Sequence, residues 1–254
     1  MTGQAAQDRA GALVIGASSG IGAALARQLV ARGYRVALVA RRHADLEALA
    51  ASLNAGAAGG PVAFAYPHDV TAYHEAPMLF SRIAGDLAPL RLIIYAAGVM
   101  TRAPIGANFA GEHAMLETNT VGAMRWLSLG ADYLAQHGGG ALVGVSSVAG
   151  DRGRPGNGAY MASKAALSAY LDSLRFKLRG TGVRVVTIKP GFVATPMTAG
   201  LTMPRRLTVS PDVVARRIAG AAGGNGVVYV PGIWRPIMWL VRHLPAAVVA
   251  RMPG

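Results

Sequence analysis

The sequence predicts a single-domain α/β protein whose core is a doubly wound parallel sheet of about seven strands, with helices on both faces. Short apolar runs without polar alternation indicate the strands, because a covered parallel sheet buries both sides of every strand. Longer amphipathic stretches between these runs predict helices. Strands are predicted at residues 12–16, 35–40, 62–66, 92–97, 141–146, 184–189 and 227–230. The main helices are predicted at 22–32, 44–53, 74–87, 112–137 and 159–179.

The length and composition limit the architecture and the chemistry. A chain of 254 residues fits one large core, so residues 1–254 are predicted to form one domain. Hydrophobic residues make up 52% and charged residues 15%, which is typical of a well-packed globular protein. The chain has no cysteine, which excludes disulfides, thiolate nucleophiles and sulfur-based zinc sites. The six histidines lack a ligand spacing such as HExxH, so we expect no metal site.

The formal net charge of +13 is large for this length. A basic protein attracts phosphorylated ligands, nucleic acid or anionic lipid, and charge alone does not choose among them. The chain has no run of Lys or Arg and no nucleic-acid-binding motif with interleaved aromatic residues. We therefore expect a phosphate-bearing small molecule and no nucleic acid as partner.

The two ends of the chain bear on location. The N-terminal residues lack the apolar segment of a secretory signal, and we expect a cytoplasmic protein. The C-terminal stretch 232–254 mixes apolar residues with arginines, and Pro236 and Pro245 make it too interrupted to span a bilayer. Two interpretations stay open: an amphipathic helix at an anionic membrane surface, or a terminal helix that packs on the domain or on a sister subunit.

A glycine-rich turn follows the first predicted strand and leads directly into a helix. Glycines allow a tight turn and a close approach of backbone to pyrophosphate, whose charge meets the amides of the helix N-terminus. The alternative is an ordinary turn between strand and helix. The position between strand and helix favours a Rossmann-type dinucleotide site formed by Gly16, Ser18, Ser19, Gly20, Ile21 and Gly22.

The end of the second predicted strand bears on cofactor choice. In a dinucleotide fold an acidic residue there selects NAD, and a basic residue accepts the 2′-phosphate of NADP. The chain has Arg41 and Arg42 at this point, and no Asp or Glu in the turn. Guanidinium groups bind phosphate bidentately, and Ser18 can add a hydroxyl. The alternative is that both arginines are only solvated; the pattern favours NADP(H).

A tyrosine and a lysine begin the last long predicted helix. Tyr160 and Lys164 are four residues apart, which places both side chains on one face of a helix. A phenol is a poor base at neutral pH, but a neighbouring ammonium favours the phenolate and lowers the pKa of the tyrosine. The pair therefore predicts an acid/base site.

Further motifs occur in order along the chain: Asp69-Val70, Ala97-Gly98, Asn119, Ser147, and Pro190-Gly191 with Thr195. Taken with the glycine-rich turn and the Tyr-x-x-x-Lys pair, they make the sequence resemble the short-chain dehydrogenase/reductase family over essentially the whole chain. The resemblance implies NADPH-dependent hydride transfer between the nicotinamide and a ketone or secondary alcohol.

The resemblance also implies roles at the reacting atoms. Ser147 would hydrogen-bond the substrate carbonyl, and Tyr160 would deliver the proton. Lys164 would hold the nicotinamide ribose, while Asn119 would anchor a water that relays protons. Each residue has a plainer alternative: Asn119 could satisfy a kinked helix, Ser147 could end a strand, and Tyr160 could pack at a helix start.

For the rest of the cofactor, the resemblance implies contacts from several strand ends. Asp69 and Val70 would flank the adenine, and the segment 190–195 would contact the nicotinamide. The full set outside the glycine-rich turn and the arginines is Asp69, Val70, Ala97, Gly98, Tyr160, Lys164, Pro190, Gly191, Val193 and Thr195. The resemblance further implies a homodimer or homotetramer joined through the long helices that contain Asn119 and Tyr160.

The chain departs from the family pattern at two places. Ile15 stands where many members have Thr, and Tyr95-Ala96 stands where Asn-Asn is frequent. We expect other groups to replace the usual local hydrogen bonds there, with activity retained.

Substrate and function leave alternatives open. The sequence resembles a branch of the family that includes reductases of decaprenylphosphoryl keto-pentose, which would make the substrate a lipid-linked phosphosugar. Arg152 or Arg154 would then bind an anionic substrate group, the alternative being surface solvation or a subunit contact. A non-catalytic NADP-binding sensor or scaffold is a rival function, and so is a peripheral membrane protein that mainly binds lipid.

Overall fold

The computed structural model describes residues 9–57, 60–101 and 108–252. Within these residues seven parallel strands form one sheet in the order β3-β2-β1-β4-β5-β6-β9, and β7 pairs with β8 in a small second sheet. The strands are β1 (Gly11–Ile15), β2 (Arg35–Ala40), β3 (Ala63–Pro67), β4 (Leu90–Tyr95), β5 (Gly140–Val145), β6 (Val183–Pro190), β7 (Phe192–Val193), β8 (Thr208–Val209) and β9 (Gly226–Val230).

Helices connect the strands and cover the sheet. They are α1 (Gly20–Ala31), α2 (His43–Asn54), α3 (Ala76–Asp86), α4 (Phe109–Leu116), α5 (Gly122–Gln136), α6 (Gly158–Lys177), α7 (Pro211–Ala221), α8 (Trp234–His243) and α9 (Ala246–Val249). The single-domain doubly wound fold predicted from the sequence is confirmed, and every predicted strand lies within two residues of an observed one. The short strands β7 and β8 were not predicted.

The core lies in two apolar layers, one on each face of the sheet. Alternate residues of β1 enter opposite layers: Ala12 and Val14 pack with α1, α2 and α7, while Leu13 and Ile15 pack with α3, α5 and α6. All five residues of β1 are buried, as a central parallel strand requires. Because both faces are covered, the polar groups that remain available to a ligand gather at the ends of the strands.

A π-helical turn at Glu117–Val121 joins α4 to α5, so the predicted helix 112–137 is interrupted in its first half. Such turns insert an extra residue and are frequent at functional sites. The hydroxyl of Tyr95, a fully buried side chain, donates a 2.5 Å hydrogen bond to the carbonyl oxygen of Thr118 in this turn. Tyr95 thus supplies a hydrogen bond at the position where an Asn-Asn pair is frequent in the family that the sequence resembles.

The segment after β9, residues 233–252, is called the C-terminal segment below. Its helix α8 packs through Trp234, Met238 and Val241 onto Val148, and so closes a third apolar cluster. Packing on the domain, one of the two interpretations left open, is therefore observed for one face of this helix. Among the described helices none has the length and apolar character needed to cross a bilayer. Residues 1–8 and 253–254, which belong to the predicted N-terminal and C-terminal stretches, lie outside the described part of the chain.

Candidate active site

A cleft of about 380 Å³ opens at the carboxyl ends of the strands. It lies where the sheet order reverses between β1 and β4, which is the usual ligand crevice of an open α/β sheet. Every predicted cofactor residue except Asp69 lines it, and so does Ser147. Asn119 is the other predicted site residue that does not line it.

The glycine-rich turn forms one wall of the cleft. Gly16 and Gly20 have φ values of 94° and 54°, a left-handed conformation that favours glycine. A Cβ atom on Gly16 would also lie 2.4 Å from the amide nitrogen of Ala97. Helix α1 begins at Gly20, and the side chain of its N-cap residue Ser19 makes no capping hydrogen bond. The first amides of α1 are thus left for an anion, which fits a pyrophosphate.

Arg42 lies against this turn. Its Nη2 atom donates to the hydroxyls of Ser18 at 2.9 Å and Ser19 at 2.6 Å, and its Nε atom lies 3.1 Å from the Asp45 carboxylate. Arg41 turns instead toward Asp69, with 3.7 Å between Nη1 and Oδ2. Both arginines are exposed and line the cleft. Each guanidinium therefore has one carboxylate beside it. The hydroxyls of Ser18 and Ser19 also hold the Arg42 guanidinium against the glycine-rich turn.

The end of β3 adds a cleft residue that sequence reasoning missed. Val70 lines the cleft as predicted, whereas Asp69 does not line it and accepts hydrogen bonds from the backbone and hydroxyl of Thr71. His68 lines the cleft and is buried, and no described residue bonds its Nε2 atom. Burial lowers the pKa of His68 and favours its neutral form. His68 directly follows β3, and this position could have identified it from the sequence, because the carboxyl ends of parallel strands meet at the cleft.

Tyr160 and Lys164 lie one turn apart near the start of α6, as the spacing predicted. Asn157 caps this helix by accepting a 3.0 Å hydrogen bond from the amide of Tyr160. The Lys164 Nζ atom is 5.9 Å from the centre of the Tyr160 ring and donates a 3.0 Å hydrogen bond to the carbonyl of Val145. Lys164 is 4% exposed, and burial lowers its pKa to about 8. The ammonium is therefore held at the cleft by a single carbonyl among the described residues.

The pKa of Tyr160 differs from the sequence-based expectation. Burial raises it, and the nearby Ser147 hydroxyl is the group that opposes the increase. Lys164 does not produce the expected lowering: its Nζ atom lies 5.9 Å from the centre of the Tyr160 ring and donates to the Val145 carbonyl instead. In this state Tyr160 holds its proton at neutral pH, which suits a proton donor.

Of the two neighbouring serines, Ser147 is the one whose hydroxyl is available to a ligand in the cleft. The Ser146 hydroxyl is taken up by the Lys164 carbonyl and the Ser168 hydroxyl, each at 2.8 Å. Ser147 caps a 3-10 turn (Val148–Asp151), accepts a 3.1 Å hydrogen bond from the amide of Ala149, and makes only a long 3.5 Å contact to the carbonyl of Pro190. The Ser147 hydroxyl hydrogen can therefore be redirected to a ligand.

Asn119 lies on the π-helical turn, buried behind the cleft. Its side chain accepts a 2.8 Å hydrogen bond from the amide of Val99 and donates to the Val99 carbonyl and the Ser163 hydroxyl, both at 3.0 Å. It therefore ties the loop after β4 to helix α6. The plainer alternative, a residue that satisfies an irregular helix, is not observed, because these bonds go to the loop and to α6; the water relay stays a prediction.

The opposite wall comes from the ends of β4 and β6. A Cβ atom on Gly98 would lie 3.4 Å from Lys164 Nζ, and one on Gly191 would lie 1.9 Å from Nε1 of Trp234. Gly191 therefore has no room for a side chain, whereas a Cβ atom at Gly98 would be in close contact only. Predicted residues on this wall are Ala97, Gly98, Pro190, Gly191, Val193 and Thr195, and the residues missed there are Ala96, Val99, Pro196, Met197 and Thr198. The missed residues are neighbours of predicted ones in the chain and carry no chemical pattern of their own.

A buried ion pair lies behind Ser147. Asp151 ends the 3-10 turn, and one oxygen of its carboxylate pairs with the Lys189 ammonium while the other accepts a 2.8 Å hydrogen bond from the Tyr229 hydroxyl. The carboxylate is 1% exposed. Lys189 directly precedes Pro190, so this pair fixes the turn that carries Ser147 against the end of β6. Sequence reasoning missed it, because its members come from three distant parts of the chain.

The two arginines expected at the mouth of the cleft take other positions. Arg152 donates to the carbonyls of Arg242 and Leu244 at 3.2 and 3.4 Å, and so holds the C-terminal segment. Arg154 lines a separate cavity with Thr101 and Asn157. Neither lines the cleft itself. The direct contact that the sequence suggested for Arg152 is not observed, because backbone carbonyls of the C-terminal segment engage its guanidinium.

Comparison with known sequences adds the family. The profile of the family described as short chain dehydrogenase matches residues 10–205. An uncharacterised oxidoreductase of Myxococcus xanthus is 38% identical over 227 residues, covering 87% of this chain and 87% of that protein. Another, from Mycobacterium tuberculosis, is 36% identical over 243 residues, covering 95% of this chain and 96% of that protein.

Solved structures agree with the sequence comparison. A short-chain type dehydrogenase/reductase from Mycobacterium ulcerans has a TM-score of 0.81 at 27% identity, covering 89% of this chain and 90% of that one. Actinorhodin polyketide ketoreductase, a single-residue variant crystallised with NADPH, has a TM-score of 0.78 at 26% identity, covering 88% of this chain and 96% of that one. The profile, the relatives and the shared fold together establish that this chain belongs to the short-chain dehydrogenase/reductase family of oxidoreductases.

Proposed function

We propose that this protein is an NADP(H)-dependent carbonyl reductase, or alcohol dehydrogenase in the reverse direction, that acts on a ketone or secondary alcohol with Tyr160 as acid/base. The observation that carries the proposal is the convergence of Tyr160, Lys164 and Ser147 on the cleft that the glycine-rich turn also lines. A binding module has no need of a buried lysine beside a half-buried phenol. Buried titratable groups in a cleft are typical of catalysis.

The cofactor proposal rests on the fit of the glycine-rich turn and of Arg42. The turn leaves the first amides of α1 to a pyrophosphate, and Arg42 with Ser18 and Ser19 offers three donors to a 2′-phosphate. A family relative of the same fold, actinorhodin polyketide ketoreductase, was crystallised with NADPH. When bound, the nicotinamide would supply or accept the hydride, and Pro190, Gly191, Val193 and Thr195 would line its place.

Tyr160, Ser147 and Lys164 form what we call the chemical end of the cleft, where the proton would be transferred to the substrate. As negative charge develops on the substrate oxygen during reduction, the Tyr160 hydroxyl, kept protonated by a pKa that burial raises, gives its proton to that oxygen. The Ser147 hydroxyl donates to the same oxygen and stabilises its charge before the proton arrives. Lys164, held at the cleft by the Val145 carbonyl, would bind the nicotinamide ribose, and Asn119 keeps the neighbouring loop at Val99 in place.

We also propose that the protein forms a homodimer or homotetramer through the long helices. Large apolar side chains are exposed on α4, on the π-helical turn that follows it and at the end of α6, and a contact between copies would remove them from water. They are Phe109, Leu116, Val121 and Phe176. Light scattering of the purified protein would measure the oligomeric state.

A lipid-linked phosphosugar is a narrower substrate proposal. Arg152 is engaged by the C-terminal segment, so Arg154, which lines the separate cavity beside Asn157, is the arginine that we propose for its anionic group. Arg154→Glu should then raise KM for a phosphorylated ketone and leave KM for a neutral ketone unchanged. Equal effects on both ketones would contradict this narrower proposal.

The experiment that tests the main proposal is NADPH oxidation measured with a broad panel of ketones. We expect turnover with part of the panel, and its loss in Tyr160→Phe. NADPH binding by calorimetry, done in parallel, separates the rival function. Tight binding without turnover of any ketone would favour a cofactor sensor or scaffold and would contradict the proposal.

A further inference from the structure

The outer face of helix α8 leaves large apolar side chains in water. Trp239 is 59% exposed and Leu240 is 55% exposed, and Ile233 directly before the helix is 52% exposed. The opposite face of the same helix is packed on the domain through Trp234 and Met238. The helix is thus held in position by one face while the other presents an apolar surface that no described residue covers.

Charge around this surface has one sign. No Asp or Glu follows Asp212 in the sequence, whereas Arg235, Arg242 and Arg251 lie in the C-terminal segment. All three arginines are exposed, and none takes part in a salt bridge among the described residues. The surface therefore combines exposed apolar side chains with uncompensated positive charge.

We propose that the outer face of α8, with Ile233 before it, docks on a membrane that contains anionic phospholipid. Trp and aliphatic side chains at the depth of the headgroups, flanked by arginines that reach the phosphates, are the composition of an interfacial helix. Each arginine near an anionic surface adds about fivefold to the affinity. The helix lies along the surface in this arrangement and does not enter the bilayer core.

The same features disfavour the other occupants. In a two-fold contact between copies the patch faces itself, so arginines would meet arginines with no acidic residue of the segment to pair with them. Nucleic acid would use the arginines but would leave Ile233, Trp239 and Leu240 in water. A membrane with anionic headgroups is the occupant that uses both kinds of side chain.

Tryptophan fluorescence gives a direct test, because Trp126 and Trp234 are buried and Trp239 is exposed. With phosphatidylcholine vesicles that contain phosphatidylglycerol, we expect the full chain to float with the vesicles and its emission to shift to shorter wavelength. Vesicles of phosphatidylcholine alone should bind weakly. Trp239→Phe should float as well as the wild type but lose the emission shift.

Matched variants separate the two contributions. Trp239→Ser with Leu240→Ser should weaken vesicle binding by about tenfold or more, whereas Met78→Ser, at an even more exposed apolar residue on α3, should leave it unchanged. Arg235→Gln with Arg242→Gln should weaken it by roughly 25-fold. Circular dichroism and thermal unfolding check that each variant is folded.

Three results would overturn the proposal. The first is equal binding to vesicles with and without phosphatidylglycerol, or to neither. The second is a loss of binding in the arginine variant with full binding in the Trp239 and Leu240 variant, which would indicate a general polyanion surface. The third is light scattering in which the Trp239 and Leu240 variant breaks up an assembly while wild type ignores vesicles, which would assign the face to a second copy. None of these results depends on whether a ketone is turned over.

Discussion

The two ends of the cleft hold their positive charge in opposite ways. At the glycine-rich turn, called the phosphate end because we propose that cofactor phosphates bind there, Arg41 and Arg42 are exposed to water, and their polar contacts among the described residues are two carboxylates and two hydroxyls. At the chemical end, Lys164 is 4% exposed and Lys189 is paired with a carboxylate inside the protein. Exposed charge recognises a ligand at little cost to folding, whereas buried charge changes pKa values and lowers stability unless it is paired. Four predictions test this contrast.

The largest effect is expected at the chemical end. Tyr160→Phe should lower kcat for ketone reduction by about 10³-fold, because the Ser147 hydroxyl can hydrogen-bond the substrate oxygen but is a much weaker acid than a phenol and does not replace its proton. The Kd of NADPH should change by less than about threefold, since the phosphate end is untouched. Stopped-flow absorbance and calorimetry measure the two quantities, and Tyr133→Phe, away from the cleft, is the control. Substantial turnover by Tyr160→Phe would contradict the assignment.

The two carboxylates that pair with cations should differ in their effect on stability. Asp151→Asn leaves a buried ammonium without its partner and should lower the free energy of unfolding by about 3 kcal/mol or more. Asp69→Asn breaks an exposed pair and should lower it by less than about 1 kcal/mol. Urea unfolding of both variants measures this. Equal losses would show that burial does not separate the two pairs.

The buried charge of Lys164 should lower the stability of the fold. Its folded pKa of about 8 lies below the ordinary value, so the unfolded chain binds more protons between about pH 8 and 10.5. Stability of the wild type therefore rises with pH through this window. Lys164→Met should be more stable below pH 8, by up to about 3 kcal/mol, and the gain should shrink at higher pH.

Urea unfolding at several pH values measures this prediction, with Lys177→Met on the exposed end of the same helix as the control. The Lys164→Met protein should have little activity. A variant that is less stable than wild type at every pH would show that the Val145 hydrogen bond outweighs the burial of the charge.

The smallest effect is expected at the phosphate end. Arg42→Ala should raise the Kd of NADPH by roughly tenfold to a hundredfold, and that of NADH by much less, because only NADPH carries the phosphate. Arg41→Ala should have a weaker effect, since Arg41 turns toward Asp69 and makes no bond to the serines of the glycine-rich turn. Added salt should reduce the preference for NADPH. Calorimetric titration of wild type and both variants with both cofactors gives the six dissociation constants, and equal effects of Arg42→Ala on both cofactors would rule out this recognition.

The part of the site that could be predicted from the sequence is the part fixed by local geometry. The turn from Gly16 to Gly22 and the pair Tyr160 and Lys164 depend on residues within one turn, so their spacing determines which side chains meet. The strands could be predicted because burial on both faces leaves near-continuous apolar runs.

The unpredicted contacts join distant residues. Asp151 pairs with Lys189 and Tyr229, which are 38 and 78 residues away in the sequence, and no periodic pattern links them. The contact of Trp234 with Gly191 likewise appears only when the C-terminal segment is folded back. The position of Arg152 shortly after Ser147 likewise predicts that it lies at the cleft. In the structure its guanidinium donates to two backbone carbonyls of the C-terminal segment instead.

The π-helical turn at Glu117–Val121 sets the angular register of everything that follows it in the helix. Deletion of one residue from this turn would rotate α5 by about 100° about its axis relative to α4. Trp126 and Leu127, fully buried now, would be carried toward solvent. Loss of the π-helical turn that holds Asn119 would therefore disrupt one of the two apolar layers. The irregular turn beside the cleft is thus required for the stability of the whole fold.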